Sequence, residues 1–295
     1  MEAVKEFMTD SGIPYVEIAN VPKIDIFKTF DCGQCFRFDP VSLYGNKYEY
    51  GGVAYGKYVV FAQNSPYDLK IYGTTADEYR SLWRSYLSLD TDYDEINSRI
   101  ISAADSSHMK SAVEYGDGIR ILRQDSWECV CSFIISQNNN IPRIKKIITA
   151  LCEKYGLEIK YGSSTYYSFP DAKALCEAGE EAIFALKTGF RAKYIIDASS
   201  KISTGEISLD SILNEKNYDT CVDILCKIKG IGLKVASCAL LFGFGKTEAF
   251  PVDVWMKRAL EKHFPDGLDV KSLGKHAGIA QQYLFYYERY NKDEI

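Results

Sequence analysis

The chain has 295 residues, 46% hydrophobic and 25% charged, a length and balance that suit two or three packed subdomains around a substantial core. Its net charge of −5 excludes a uniformly basic nucleic-acid binder, yet residues 1–125 carry 13 Lys and Arg against 19 Asp and Glu while residues 126–262 carry 18 against 16. The acid is therefore concentrated at the N-terminal end, and a local phosphate-binding patch remains open to the second half.

The opening MEAVKEFMTD has neither the basic start nor the apolar core of a signal peptide, and no apolar run is long enough to span a membrane. A soluble, cytoplasmic protein is expected, associated with the nucleoid if bacterial. Nine cysteines without a disulfide rhythm fit a reducing compartment. Residues 24–73 alternate apolar and polar with glycine punctuation, which predicts antiparallel strands. Cys32 and Cys35 form a C-x-x-C without a second pair or a nearby histidine, so they are read as strand residues and not as zinc ligands. Thr75-Ala76-Asp77-Glu78 is a capping box that starts a helix through about Leu87. From Ser126 onward the periods are helical, ended by glycines such as Gly156 and broken by a polar loop near Tyr161 to Pro170. The fold class is thus α+β, with an N-terminal α+β domain over 1–125 and a helical domain over 126–295, and there is no internal repeat, low-complexity linker or coiled coil.

Residues 218–245 carry the sharpest signal. Cys221, Ile224, Leu225 and Ile228 share one helical face, and Gly230-Ile231-Gly232 then stops the helix abruptly. The two glycines permit positive φ and close backbone approach, so the next helix starts with exposed amides suited to a phosphate. The same turn also serves as an ordinary corner between helices. Lys234 follows two residues later, with Cys238, Leu241 and Phe242 continuing its face. It reads either as a surface lysine whose stem covers apolar neighbours or as a nucleophilic amine. An ordinary lysine, with a pKa near 10.4, is neutral in only about one molecule in a thousand near pH 7.4. Apolar surroundings and the positive end of a helix both favour the neutral form. Asp253, in Phe250-Pro251-Val252-Asp253-Val254-Trp255, precedes the amphipathic run Trp255 to His263. It reads as a helix N-cap, and a capping carboxylate is also fixed well enough to face a developing positive charge.

The pattern Gly-Ile-Gly-x-Lys followed by Pro-Val-Asp resembles the 8-oxoguanine DNA glycosylase family. Four further segments match in order between about residues 24 and 290. Asp31-Cys32-Gly33-Gln34-Cys35-Phe36-Arg37-Phe38 resembles the family's Gly-Gln-x-Phe-Arg strand. Ser136-Gln137-Asn138-Asn139-Asn140-Ile141-Pro142-Arg143 resembles its asparagine triplet followed by an arginine. Lys187 to Tyr194 is similar to its Gly-aromatic-Arg-Ala-x-Tyr segment, and Ala277 to Phe285 to its C-terminal Ala-Gly-x-Ala-Gln…Phe helix. Taken singly, Gly33 also reads as relief of crowding in a strand, Asn138 to Asn140 as a loop and cap, and Phe190 as core packing. Phe190 stands where animal members carry a tyrosine wedge, and Trp255 where they carry a phosphate-contacting histidine. No cysteine follows Cys238, so the four-cysteine iron–sulfur loop of the endonuclease III branch is absent.

The resemblance implies a twisted sheet packed on a helix-hairpin-helix glycosylase domain, with a pocket helix over about 276–290 and DNA gripped where the helical lobes meet. It implies base excision of 8-oxoguanine opposite cytosine, with Lys234 as nucleophile in a Schiff-base lyase reaction and Asp253 facing the cationic sugar. Gly33 would offer its carbonyl to the lesion, Gln281 would read the Watson–Crick edge, and Phe285 and Cys238 would sandwich the base. Asn138 would fill the gap, Phe190 would wedge the helix, and Arg143 and Arg191 would meet the orphaned partner. Gly230, Gly232, Val235 and Trp255 would touch the DNA backbone. No redox cofactor and no catalytic metal is expected, and the expected partner is duplex DNA bound by a monomer away from membranes. Two alternatives differ in chemistry. A monofunctional alkylpurine glycosylase would use Asp253 with water and have no need of Lys234, and a non-catalytic hairpin module would only bind DNA.

Overall fold

The computed structural model describes residues 2–291; Met1 and residues 292–295, the extreme ends of the two expected domains, lie outside it. Six strands form one antiparallel sheet: β1 (Ala3–Met8), β2 (Pro14–Ala19), β3 (Phe38–Pro40), β4 (Tyr48–Ala54), β5 (Lys57–Gln63) and β6 (Asp68–Tyr72). Their order is β1-β2-β6-β5-β4-β3. The sheet therefore begins at Ala3, ahead of the expected residue 24. Strands β4 and β5 pair from Tyr48↔Gln63 to Ala54↔Lys57, and Tyr55 and Gly56 close the turn with φ of 49° and 71°, the twist that suits a two-residue hairpin.

Both faces of the sheet are covered, which simple alternation did not suggest. On one side Phe61, Tyr50 and Val59 pack with Phe30, Trp83 and Tyr86. On the other, Tyr58, Val60 and Tyr72 meet Tyr44, Tyr161 and Tyr166. The last two tyrosines belong to a short hairpin, β7 (Glu158–Tyr161) and β8 (Ser164–Tyr167), where the sequence suggested a polar loop. Its tyrosines explain the difference: Tyr166 stacks on Tyr58 with ring centroids 3.6 Å apart, and the Tyr44 and Tyr161 hydroxyls lie 2.6 Å apart. Tertiary burial of the rings stabilises a hairpin too short to persist alone.

The Thr75–Glu78 capping box is present, and helical backbone continues to Tyr86 through a π turn at Tyr79–Trp83. Helices Tyr93–Ala104 and Ser107–Gly116, capped by Asp92 and Ser106, add Ile96, Ile100, Met109 and Val113 to the core of the helical half. At the centre of that core lie helices Ser126–Ser136 and Leu233–Gly243, apolar almost all round and buried accordingly. Among the described residues no helix is long and apolar enough to cross a membrane.

Candidate active site

The hairpin consists of helices Tyr218–Leu225 and Leu233–Gly243 joined by a tight turn. Gly230 has φ +79°, and a Cβ there would lie 2.4 Å from the Tyr194 ring, so glycine is required by backbone and by space. Ile231 is buried and plugs the turn into the core, while exposed Gly232 is the N-cap. The first amide to bond back into the helix is Ala236, to the Gly232 carbonyl at 3.0 Å. The amides of Leu233, Lys234 and Val235 are left as donors at the positive helix end, and Val235 can offer only its amide because its side chain is buried. A clamp that sequence reading missed steadies the turn. Asp197 Oδ2 accepts from the Lys229 amide at 2.7 Å and from Lys201 Nζ at 3.0 Å, and Lys201 also donates to the Lys227 carbonyl at 2.6 Å. Burial pushes the Asp197 carboxyl up, but the Lys229 amide and Lys201 outweigh it and hold it below the usual range. Its only advance sign was an Asp-x-x-x-Lys spacing.

Lys234 is half-buried at the pocket mouth, one turn from buried Cys238. Burial pushes the Cys238 thiol up to about 11; the nearby Lys234 charge pulls the other way, and Asp253 adds to the rise. Amine, thiol and carboxylate are thus electrostatic neighbours. Asp253 is the N-cap of helix Val254–His263, its Oδ1 accepting from the Met256 amide at 2.8 Å. Oδ2 has no hydrogen bond among the described residues, so cap and charge can coexist on one carboxylate.

The pocket is lined by Lys234, Cys238 and Asp253 together with Gly33, Gln281 and Phe285, the six residues expected in the catalytic and base-binding roles. Phe133, Phe242, Pro251, Cys32 and Gln282 complete the wall. The Gly33 segment is a loop between helix Ile26–Asp31 and β3, not a strand. Gly33 has φ +80°, which an extended strand excludes, and Cys32 and Cys35 are buried loop residues. The pocket helix Ala277–Tyr290 pins this loop: Gln282 Nε2 donates to the Cys32 carbonyl at 2.8 Å and the Tyr290 hydroxyl to the Asp31 carbonyl at 3.0 Å. From behind, Gln34 donates to Thr29 and Arg120 carbonyls and accepts from the Leu122 amide. Gln282 is the residue that sequence reading passed over, adjacent to Gln281 on the same helix.

The four partner-strand candidates cluster at one edge. Asn138, at φ +47°, and Phe190, 47% exposed, project beside Arg143, whose Nη2 lies 3.4 Å from the Lys187 carbonyl. Arg191 differs from its expected role, being only 2% exposed. Its guanidinium donates to the carbonyls of Gln137 at 2.8 Å, Asn138 at 2.8 Å and Thr188 at 3.1 Å, and lies 4.5 Å from the Phe190 ring centre. Those bonds hold Asn138 in its left-handed conformation and leave Arg143 as the exposed cation. Trp255 is 62% exposed in the first turn of the Asp253-capped helix, with Arg258 over its ring. Among the basic residues of this half, Lys246 is engaged in the fold, donating to the Leu213 carbonyl at 3.2 Å.

Comparison with known proteins gives matches along most of the chain. Residues 18–130 match the 8-oxoguanine DNA glycosylase N-terminal domain, and residues 131–269 the HhH-GPD superfamily of base excision DNA repair proteins. The 8-oxoguanine glycosylase/lyase of Clostridium acetobutylicum, in complex with duplex DNA containing cytosine opposite 8-oxoG, superimposes with a TM-score of 0.87 at 38% identity, covering 98% of each chain. An N-glycosylase/DNA lyase of Saccharomyces cerevisiae is 32% identical over 64% of this chain and 52% of its own length, and one of Arabidopsis thaliana is 34% identical over 59% and 49%. The matched regions span about half the length of these two curated relatives. A 3-methyladenine DNA-glycosylase from Archaeoglobus fulgidus, with a TM-score of 0.71 at 18% identity, shares the fold.

Proposed function

The chain belongs to the 8-oxoguanine DNA glycosylase family within the HhH-GPD superfamily, and on that premise we propose that it excises 8-oxoguanine from duplex DNA and cleaves the resulting abasic strand, acting as a monomer. The observation that carries this reading is the meeting of Lys234, Cys238, Asp253, Gly33, Gln281 and Phe285, drawn from four separate segments, around one pocket.

The lesion must leave the stack, because neither its edge nor C1′ can be reached inside a duplex. Phe285 and Cys238 stack on the extruded base and Gln281 meets its Watson–Crick edge. Oxidation at C8 turns N7 from an acceptor into an N–H donor, so the Gly33 carbonyl gains a hydrogen bond from the lesion and meets a lone pair in guanine. That difference is worth about 1–3 kcal/mol in a buried site. The Lys234 amine attacks C1′ and the base departs, taking a proton. Asp253 stabilises the positive charge on the sugar. Ring opening then gives a Schiff base between Lys234 and C1′, and loss of a C2′ proton expels the 3′ phosphate by β-elimination.

For the partner strand, the exposed Arg143 faces the orphaned base, held beside Asn138 and Phe190 by the buried Arg191. Cytosine offers the acceptors O2 and N3, whereas adenine presents a donor, so excision opposite cytosine should exceed that opposite adenine by about tenfold or more. A monofunctional alkylpurine glycosylase gives no role to Lys234 beside Asp253. The deciding experiment is borohydride trapping: wild type should form a covalent adduct with 8-oxoguanine DNA, and Lys234→Gln should lose both adduct and base release while still binding DNA. Normal trapping by Lys234→Gln would overturn the assignment.

A further inference from the structure

The chain has three histidines, and two of them meet one carboxylate away from the pocket. His108 lies on helix Ser107–Gly116, His263 ends the helix that Asp253 caps, and Glu288 lies on the pocket helix, one turn beyond Phe285. One ligand atom from each lies within 4.8 Å of the others. Glu288 Oε1 is 2.7 Å from His108 Nε2 and 3.5 Å from His263 Nε2. The side chains are 12%, 16% and 20% exposed, so packing holds all three while solvent still reaches them. The His108 ring is held edge-on by Tyr287 at 5.3 Å and by Phe264 at 5.9 Å.

Around a tetrahedral divalent ion with bonds of about 2.1 Å, neighbouring donor atoms stand roughly 3.4 Å apart. The His263–Glu288 separation of 3.5 Å matches that spacing, the His108–Glu288 separation of 2.7 Å must widen, and all three ligand atoms lie within 4.8 Å of one another. Two neutral imidazoles and one carboxylate form a borderline donor set that selects Zn²⁺, Co²⁺ or Ni²⁺ over the oxygen-seeking Ca²⁺ and Mg²⁺. A cleft lined by Trp255, Arg258, Lys262 and Asn291 borders His263 and Glu288 and gives a water access to the fourth position. The imidazole rings are stacked, with centroids 3.6 Å apart and planes 8° apart, so their in-plane lone pairs do not yet converge. Metal entry must rotate them out of the stack and exchange the His108–Glu288 hydrogen bond for two metal bonds.

We propose that His108, His263 and Glu288 form a Zn²⁺-class transition-metal site that ties the far end of the Asp253-capped helix to the pocket helix. None of the three lines the pocket, and metal binding is read without DNA, so the proposal stands or falls independently of the glycosylase assignment.

The test is titration of the metal-stripped full chain with Co²⁺. One equivalent should give the visible d–d bands of a four-coordinate ion without the intense near-ultraviolet thiolate bands that cysteine ligation produces, and Zn²⁺ should displace it. Glu288→Gln, which keeps shape and one acceptor, and His263→Gln should each weaken binding at least about tenfold. Proton NMR should show the His108 and His263 ring resonances leaving their stacked positions on Zn²⁺ addition. Zn²⁺ should raise the Tm of the wild type and not that of a folded Glu288→Gln protein. Thiolate bands, unchanged affinity in both variants, or no saturable binding at one equivalent would each overturn the proposal, leaving the trio a hydrogen-bonded clamp.

Discussion

Replacing Gln282 by leucine tests whether the pocket helix positions the lesion-reading loop. Gln282 and Cys32 are 3% and 1% exposed, and the 2.8 Å bond between the Gln282 amide and the Cys32 carbonyl sits one peptide before Gly33. Leucine has similar volume but no donor, so the buried carbonyl is left unpaired at a cost of about 1–3 kcal/mol. Part of that cost destabilises the fold. The rest displaces Gly33, and with it its carbonyl, from the pocket wall it shares with Phe285, whose ring lies 3.6 Å from where a Gly33 Cβ would stand. A penalty of that size, if expressed in the reacting complex, lowers excision by roughly 5- to 150-fold. Single-turnover assays should be run in parallel on duplexes carrying 8-oxoguanine opposite cytosine and on duplexes carrying a preformed abasic site. Strand cleavage at the abasic site needs Lys234 but no base in the pocket, so it should stay within about twofold of wild type while excision falls. Equal losses on both substrates would assign the bond to the fold at large, and undiminished excision would show that the loop does not depend on it.

Asp253→Asn should leave the Tm nearly unchanged, because asparagine caps a helix as well as aspartate, while excision drops by about 10²–10³-fold; retained activity would reduce Asp253 to a cap. Asp253→Ala should in addition lose about 1 kcal/mol of stability in chemical denaturation. Gly230→Ala meets both φ +79° and the Tyr194 ring 2.4 Å away, so thermal melting should fall and affinity for undamaged duplex should weaken together; wild-type behaviour in both would refute the tight-turn account. Because burial raises the Cys238 thiol to about 11, only about one molecule in a thousand is thiolate at pH 8. Iodoacetamide with peptide mapping should then label exposed Cys226 well before Cys238, and reactivity at Cys238 should rise only as the pH approaches 11. Rapid labelling of Cys238 at pH 8 would contradict its burial.

Local rules were enough to fix several parts of this protein from sequence. The Thr75 capping box, the hairpin turn at Gly230-Ile231-Gly232 and the Asp253 cap depend on hydrogen bonds and φ values within a few residues, so the residue types announce them. The pocket residues were legible for another reason: the spacing of Lys234, Cys238, Asp253, Gln281 and Phe285 on their own helices is written along the chain, and the family pattern relates those helices. What required the tertiary structure was every feature whose partner lies far away in sequence. The Gly33 segment reads as a strand until Gln282, 249 residues later, and Tyr290 are seen holding its carbonyls in a loop. Residues 161–170 read as a polar loop because Tyr161 and Tyr166 find burial only against Tyr58 of the sheet and Tyr44 beside it. Arg191 reads as a free guanidinium until the carbonyls of Gln137 and Asn138 are found occupying it. His108, His263 and Glu288 carry no common motif, and only the packing of three helices brings them together. Periodicity and caps report what a segment does with its own backbone; which distant group satisfies a buried donor, ring or charge is decided by the packing of the whole chain.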